Sequence, residues 1–407
     1  MARIMSTDEP ATFRDVILQP DMIRIFLASL FILGQVLVSF SLIPLYIMER
    51  GGDTFAVGMQ TTVFAAASVV LRFVFGPMAD MRGRRFVLAL GAFVFATANI
   101  VIYYAPSLAW MTVARVYQAI GMASYLASAS SLVADLAPVQ FRGSAIGAYR
   151  MMMPLASLIG PFLGNSVINR YGFRTFFFAM AGAAFFSFFV VLTLQNGRRP
   201  IAGSVVRISK RDILSMFRIP DLRAAYFGIL LISIGGGIVN TFIAAYGAPF
   251  FSNPAVYFIV YAFVGAGGAL VLGRISDRTG RLVLVVPVIG AMAAGLIALR
   301  FIGGAPQFVY LLSAAGTGLG FNSGLSVLIS GVVDSIPLHL RATALSLQES
   351  WIDGGFAVGI FLFGTLSVTF GEPRLFLWTG IFVAAGTFGV LAMAGRSRGT
   401  THTGVDT

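Results

Sequence analysis

Two carboxylates, Glu349 and Asp353, stand four residues apart inside an otherwise apolar run. On a helix that spacing puts both on one face. A carboxyl taken out of water, with a like charge one turn away, is a group suited to picking up and releasing a proton. The chemistry these residues suggest is proton carriage, in which no covalent bond of a substrate is broken. Nothing else in the chain points to an enzyme. There is no cysteine, and the only histidines are His339 and His402. No metal-ligand spacing, nucleophile–base constellation or phosphate-cradling loop is present, so neither a metal nor a cofactor is expected.

The elements that must position these groups are membrane helices. Of 407 residues, 57% are hydrophobic and 11% charged, and mean hydropathy is +0.88; a soluble domain carries about 25% charged residues. Apolar runs fall near 22–47, 54–76, 86–105, 107–133, 144–168, 173–195, 222–248, 254–275, 283–303, 306–333, 342–369 and 374–395. Each has about the 20 residues needed to cross the bilayer as helix. We number them spans 1 to 12. The expected fold is all-α, with twelve transmembrane helices in two six-helix bundles. The bundles cover 22–195 and 222–395, with tails at 1–21 and 396–407 and a linker at 196–221.

The net charge of +12 does not mark a nucleic-acid binder, because the basic residues sit in short loops between spans. Arg82, Arg84, Arg85, Arg142, the basic linker, Arg278, Arg281, Arg341, Arg396 and Arg398 share one side. The positive-inside rule makes that side, and both termini, cytoplasmic. The linker is expected on the anionic lipid surface, at about 1 kcal/mol per basic residue.

Depth then sorts the intramembrane charges. A rise of 1.5 Å per residue from Arg341 puts Glu349 about 12 Å and Asp353 about 18 Å into the membrane. Arg115 lies about two turns inside span 4, too deep to reach the surface easily. Arg72, one turn before Gly76, is expected to snorkel to the cytoplasmic surface.

The chain is duplicated. Gly76, Asp80, Gly83 and Arg84 recur with identical spacing as Gly273, Asp277, Gly280 and Arg281, and Asp135, Pro138, Arg142 and Ala145 recur as Asp334, Pro337, Arg341 and Ala344. Internal repeats of this kind are how many transporters are built. The helix is expected to turn sharply at the first glycine of each loop copy. The same offset makes Arg150 and Glu349 equivalent positions of opposite charge, expected to attract one another in the cytoplasmic part of a central cavity.

These motifs resemble those of the major facilitator superfamily. Gly76 to Arg85 and Gly273 to Arg281 look like its loop motif between helices 2 and 3 and between 8 and 9. Arg115 to Gly121 is similar to its helix 4 arginine motif, with Ala119 where glycine is usual. Gly160-Pro161-Phe162-Leu163-Gly164-Asn165 looks like the antiporter motif of helix 5, with Asn165 replacing a glycine. The resemblance implies the major facilitator fold, a contact of Asp80 with the start of span 11, and one of Asp277 with the start of span 5. With Arg84, Arg281, Arg142, Arg341 and Arg150, these form latches between the bundles. It also implies that Arg115 joins Asp353 and Glu349 in proton coupling.

The substrate path is expected to combine aromatic and amide groups of the inner helices: Gln35, Tyr117, Gln118, Asn240, Tyr246, Asn322 and Trp351. Gly235, Gly236 and Gly237 are expected to form a hinge in span 7. The expected activity is proton-coupled efflux of a small amphiphilic or cationic organic compound, by a monomer in the inner membrane with lipids and protons as partners. Carriage of one specific metabolite, such as a siderophore-like molecule, is the alternative within transport. A non-transporting receptor or scaffold is the alternative outside it.

Overall fold

The computed structural model describes residues 12–138, 141–194, 216–251, 253–304, 306–336 and 341–398. The side chains of Asp80, Arg142, Asp277 and Arg341, most of the linker, and both histidines lie outside the described residues.

Among the described residues, ten helices are long and apolar enough to cross a membrane, and one of them, Ala145–Leu192, is 48 residues long. That helix is spans 5 and 6 run together across Gly172, whose φ of 77° breaks the helical path. Span 9, Arg281–Leu299, adds the twelfth crossing. The others are Pro20–Ser41 continued by Ile43–Glu49 (span 1), Thr54–Arg82 (span 2), Arg84–Tyr103 (span 3) and Leu108–Leu136 (span 4). In the second half they are Pro220–Gly247 (span 7), Val256–Thr279 (span 8), Gln307–Asp334 (span 10), Arg341–Phe370 (span 11) and Glu372–Arg398 (span 12). Span 5 enters through Arg142–Arg150.

Packing repeats between the halves. Spans 3 and 4 pair as do 9 and 10, 2 and 4 as do 8 and 10, and 3 and 6 as do 9 and 12. The bundles meet where span 2 lies on span 11, span 8 on span 5, and span 7 on span 1. Without a hydrophobic force between helices in lipid, close approach depends on small residues. At the 2–11 seam a Cβ on Gly58 would sit 2.7 Å from the Gly364 Cα, and one on Gly364 2.7 Å from that of Gly58.

The two loop copies correct the sequence reading. Gly76 and Gly273 are helical and do not make the turn. The chain turns instead at Gly83 (φ 95°, ψ 142°) and Gly280 (φ 90°, ψ 145°), which join spans 2 to 3 and 8 to 9. Only a residue without Cβ holds that conformation easily. Gly235, Gly236 and Gly237 likewise lie within an unbroken helix. A Cβ at Gly235, Gly236 or Gly237 would meet Met292, Phe321 or Phe356 within 2.8 Å, so this triplet serves packing. The irregular stretch is in span 10, where Leu319–Ser323 forms a π turn, a distortion frequent at functional sites.

Candidate functional site

Span 11 presents one face to the first bundle. At helical spacing it carries Glu349, Asp353, Phe356, Ile360 and Gly364, and all five have partners there, the Ile360 carbonyl lying against Gly58. Arg150 Nη2 lies 2.8 Å from Glu349 Oε1. Arg72 pairs with Asp353. Phe356 packs edge-on against Phe40 at 5.9 Å between centroids. Gly364 abuts Gly58. The seam thus grades from ionic near the basic loops, through aromatic, to backbone contact. Beyond Gly364, the Thr54 hydroxyl donates to Glu372 at 2.6 Å.

Arg72 does not snorkel. A largely shielded carboxylate without a cation is costly, so the guanidinium stays with Asp353. The depth count that located Asp353 gives the height of Arg72 but not the side it faces. From Arg82 the same rise places Arg72 about 15 Å in, close to level with Asp353.

Arg115 is fully buried. Its guanidinium lies over the Phe64 ring, 4.1 Å from the centroid. It donates to Gln118 Oε1 and, at 3.4 Å, to the Ser39 carbonyl. Among the described residues it has no carboxylate partner, and its Nε makes no hydrogen bond. A desolvated cation over an aromatic face gains about 2 kcal/mol or more. From Phe64 the rings continue to Phe40 (5.3 Å), Phe356, Phe321 (5.5 Å) and Tyr261 (6.4 Å). This ladder crosses from one bundle to the other just past Asp353. Sequence reasoning missed Phe40, Phe64 and Phe356, since nothing local separates them from the other 35 phenylalanines of 38.

The anticipated substrate residues are dispersed. Gln118 donates to Ser39 Oγ at 2.9 Å, and Gln35 accepts from Asn99 at 2.8 Å while its own amide nitrogen is unpaired. Asn322 sits in the π turn with a buried, unpaired Nδ2. Trp351 stacks on Tyr226. The others are used in helix packing: Tyr117 bonds Thr97 of span 3, Tyr246 donates to the Leu299 carbonyl, and Asn240 donates to the Tyr261 hydroxyl of span 8 at 3.4 Å.

The latch arginines divide. Arg84 Nε lies 3.0 Å from Asp135 and Arg281 Nε 2.9 Å from Asp334. These are equivalent pairs, each inside its own bundle. The tight glycine turn starts spans 3 and 9 beside the ends of spans 4 and 10, within reach of their aspartates. In the antiporter motif, a Cβ on Gly160 would come 3.3 Å from the Gly34 carbonyl, and one on Gly164 2.6 Å from Leu42. The motif glycines therefore let span 5, with Pro161 inside it, lie close on span 1. Asn165 donates across the bundles to Asn253 at 2.8 Å.

Two bundles related by an internal repeat, with charged pairs at their seam, narrow the identity to a family whose sequence model matches residues 25–359. The chain belongs to the Major Facilitator Superfamily. It is a multi-pass membrane transporter and not an enzyme. Its relatives in that superfamily include an uncharacterised MFS-type transporter of Methanocaldococcus jannaschii, 22% identical over 84% of this chain and 89% of the relative. Another is the multidrug resistance protein MdtG of Proteus mirabilis, 24% identical over 84% and 87%. Among solved structures, the nucleoside transporter NupG superposes with a TM-score of 0.75 at 15% identity, covering 92% of this chain and all of that one. A bacterial homolog of the human lysosomal transporter Spinster, inward-facing and unoccupied, superposes with 0.75 at 16% identity over 95% and 98%.

Proposed function

We propose that this superfamily member exports a small amphiphilic or cationic organic compound in exchange for protons. The observation that carries this reading is the placement of both span 11 acids at the bundle seam, each paired with an arginine of the first bundle. The aromatic ladder beside them supplies apolar surface, and the relatives named as multidrug transporters support the substrate class. Alternating access requires the bundles to rock about this seam. A proton on Asp353 removes the charge that holds Arg72, which loosens the seam. Its release restores the pair. The inward electrical drive on each proton is about 2.3 kcal/mol per 100 mV. Arg115 is held near this path and biases proton movement by its charge. The basic loops face the cytoplasm together with both termini, and the protein works as a monomer in the inner membrane.

The test uses purified protein in liposomes loaded with a pH-sensitive dye, under an imposed proton gradient. A panel of lipophilic cations and metabolites is added to wild type and to Asp353→Asn. Proton movement triggered by a compound in wild type and lost in the variant is the expected result. Movement unaffected by the variant would move the proton site away from span 11. No response to any compound in wild type would overturn exchange.

A further inference from the structure

The seam contains a competition that the exchange reading does not by itself require. Asp353 is the acid deepest in span 11, and its partner is a cation of the protein itself, Arg72. Arg72 lies on the same face of span 2 as Ser68 and Phe64, at helical spacing. Phe64 is covered by a second internal cation, Arg115. The carboxylate and the aromatic face that would receive an organic cation are thus both occupied by guanidinium groups. The two differ in hold. Arg115 is fully buried and bonded to Gln118 and Ser39. Arg72 is partly accessible, its side chain 24% exposed against 17% for Asp353, and its Nε is buried without a partner.

We infer that Arg72 is the resident counter-ion of Asp353 and that an arriving organic cation must displace it. Arg72 is a positioning residue: it keeps the seam closed and the carboxylate neutralised while no substrate is bound, and it sets the affinity by competing for the same oxygens. The other charges facing Asp353 are Glu349 on its own span and, beyond Glu349, Arg150 from span 5. Neither is bonded to Asp353. This inference rests on the cation-transport reading, but its sign is its own. A side chain that only holds the fold together weakens binding when removed. A competitor strengthens it.

The experiment measures equilibrium binding of tetraphenylphosphonium, a permanently charged aryl cation, to the full chain in detergent at fixed pH. Arg72→Gln is expected to tighten binding by about tenfold or more, the size of coupling usual between competing ligands. Arg72→Lys, which keeps the charge, should stay near wild type and controls for folding. Asp353→Asn should weaken binding about tenfold in wild type and about a hundredfold in the Arg72→Gln background, because Arg72 has nothing to compete for once the carboxylate is gone. Weaker or unchanged binding in Arg72→Gln would overturn the inference, as would absence of binding in both wild type and Arg72→Gln. If tetraphenylphosphonium binds without this competition while the liposome assay still shows exchange, only the role of Arg72 falls. If binding behaves as expected but no compound moves protons, the exchange reading falls instead.

Discussion

Arg150 and Glu349 meet across the two bundles at 2.8 Å, and each lies eight residues past the repeated arginine of its own half, Arg142 and Arg341. A duplicated backbone has therefore placed opposite charges at equivalent positions, where the duplication brings them together. The side chains are 39% and 44% exposed, so the pair adds little to stability, within about 1 kcal/mol. We propose that its effect is on the balance between conformations.

Reversal of either charge, Arg150→Glu or Glu349→Arg, is expected to open the basic end, and the double swap to restore it. The chain has no cysteine, so a single Met153→Cys one turn from Arg150 reports opening without background. Labelling should speed up several-fold in each single reversal. A swap that labels as fast as the singles would show that the pair does not bias the closed form.

Gly364→Val forces a side chain into the Gly58 backbone, 2.7 Å from where its Cβ would start. Overpacking of this kind costs about 1–3 kcal/mol. The variant should melt several degrees lower in detergent, and the paired change Gly58→Val should not be additive with it. Equal stability to wild type would mean that spans 2 and 11 are not held at this spacing.

The two within-bundle pairs should differ. Arg84 and Asp135 are 15% and 18% exposed, Arg281 and Asp334 25% and 57%. The better-shielded pair is worth more, since solvent screens the other. Arg84→Ala is expected to lower thermal stability by about 1–2 kcal/mol, and Arg281→Ala by under about 1 kcal/mol. The reverse order in a thermal melt would count against shielding as the deciding factor.

Arg115→Lys is not a conservative change here. Lysine lacks the flat fork that covers the Phe64 ring while bonding Gln118. Transport in liposomes should fall at least about tenfold, as expected when a buried cation loses over 1.4 kcal/mol of interaction. Retained activity would mean that charge alone suffices at this position.

Asn165→Gly restores the residue usual in the motif it resembles and removes the bond to Asn253. A double-mutant cycle with Asn253→Ala should give a coupling of about 0.5–2 kcal/mol in thermal stability. Strict additivity would mean that the two amides do not act together.

Membrane class, twelve crossings, the basic end and the duplication were legible in the sequence because each is a property of run length, composition or period. Height along each helix was legible too, since a helix rises by a fixed amount per residue, and the offset between halves located Arg150 opposite Glu349. The site of the tight turns was not, because Gly76 and Gly83 are alike until the backbone shows which has positive φ. Nor was the fate of Arg72. Its partner is 281 residues away, and whether it points to the surface or to Asp353 depends on how span 2 is rotated against span 11. Close contact of Gly58 with Gly364 fixes that rotation. The sequence determined which groups lie within apolar helices and how far along each one. The packing of two rigid bundles decided which of them touch, because partner choice at a seam depends on helix rotation and distance, and neither is a local property of the chain.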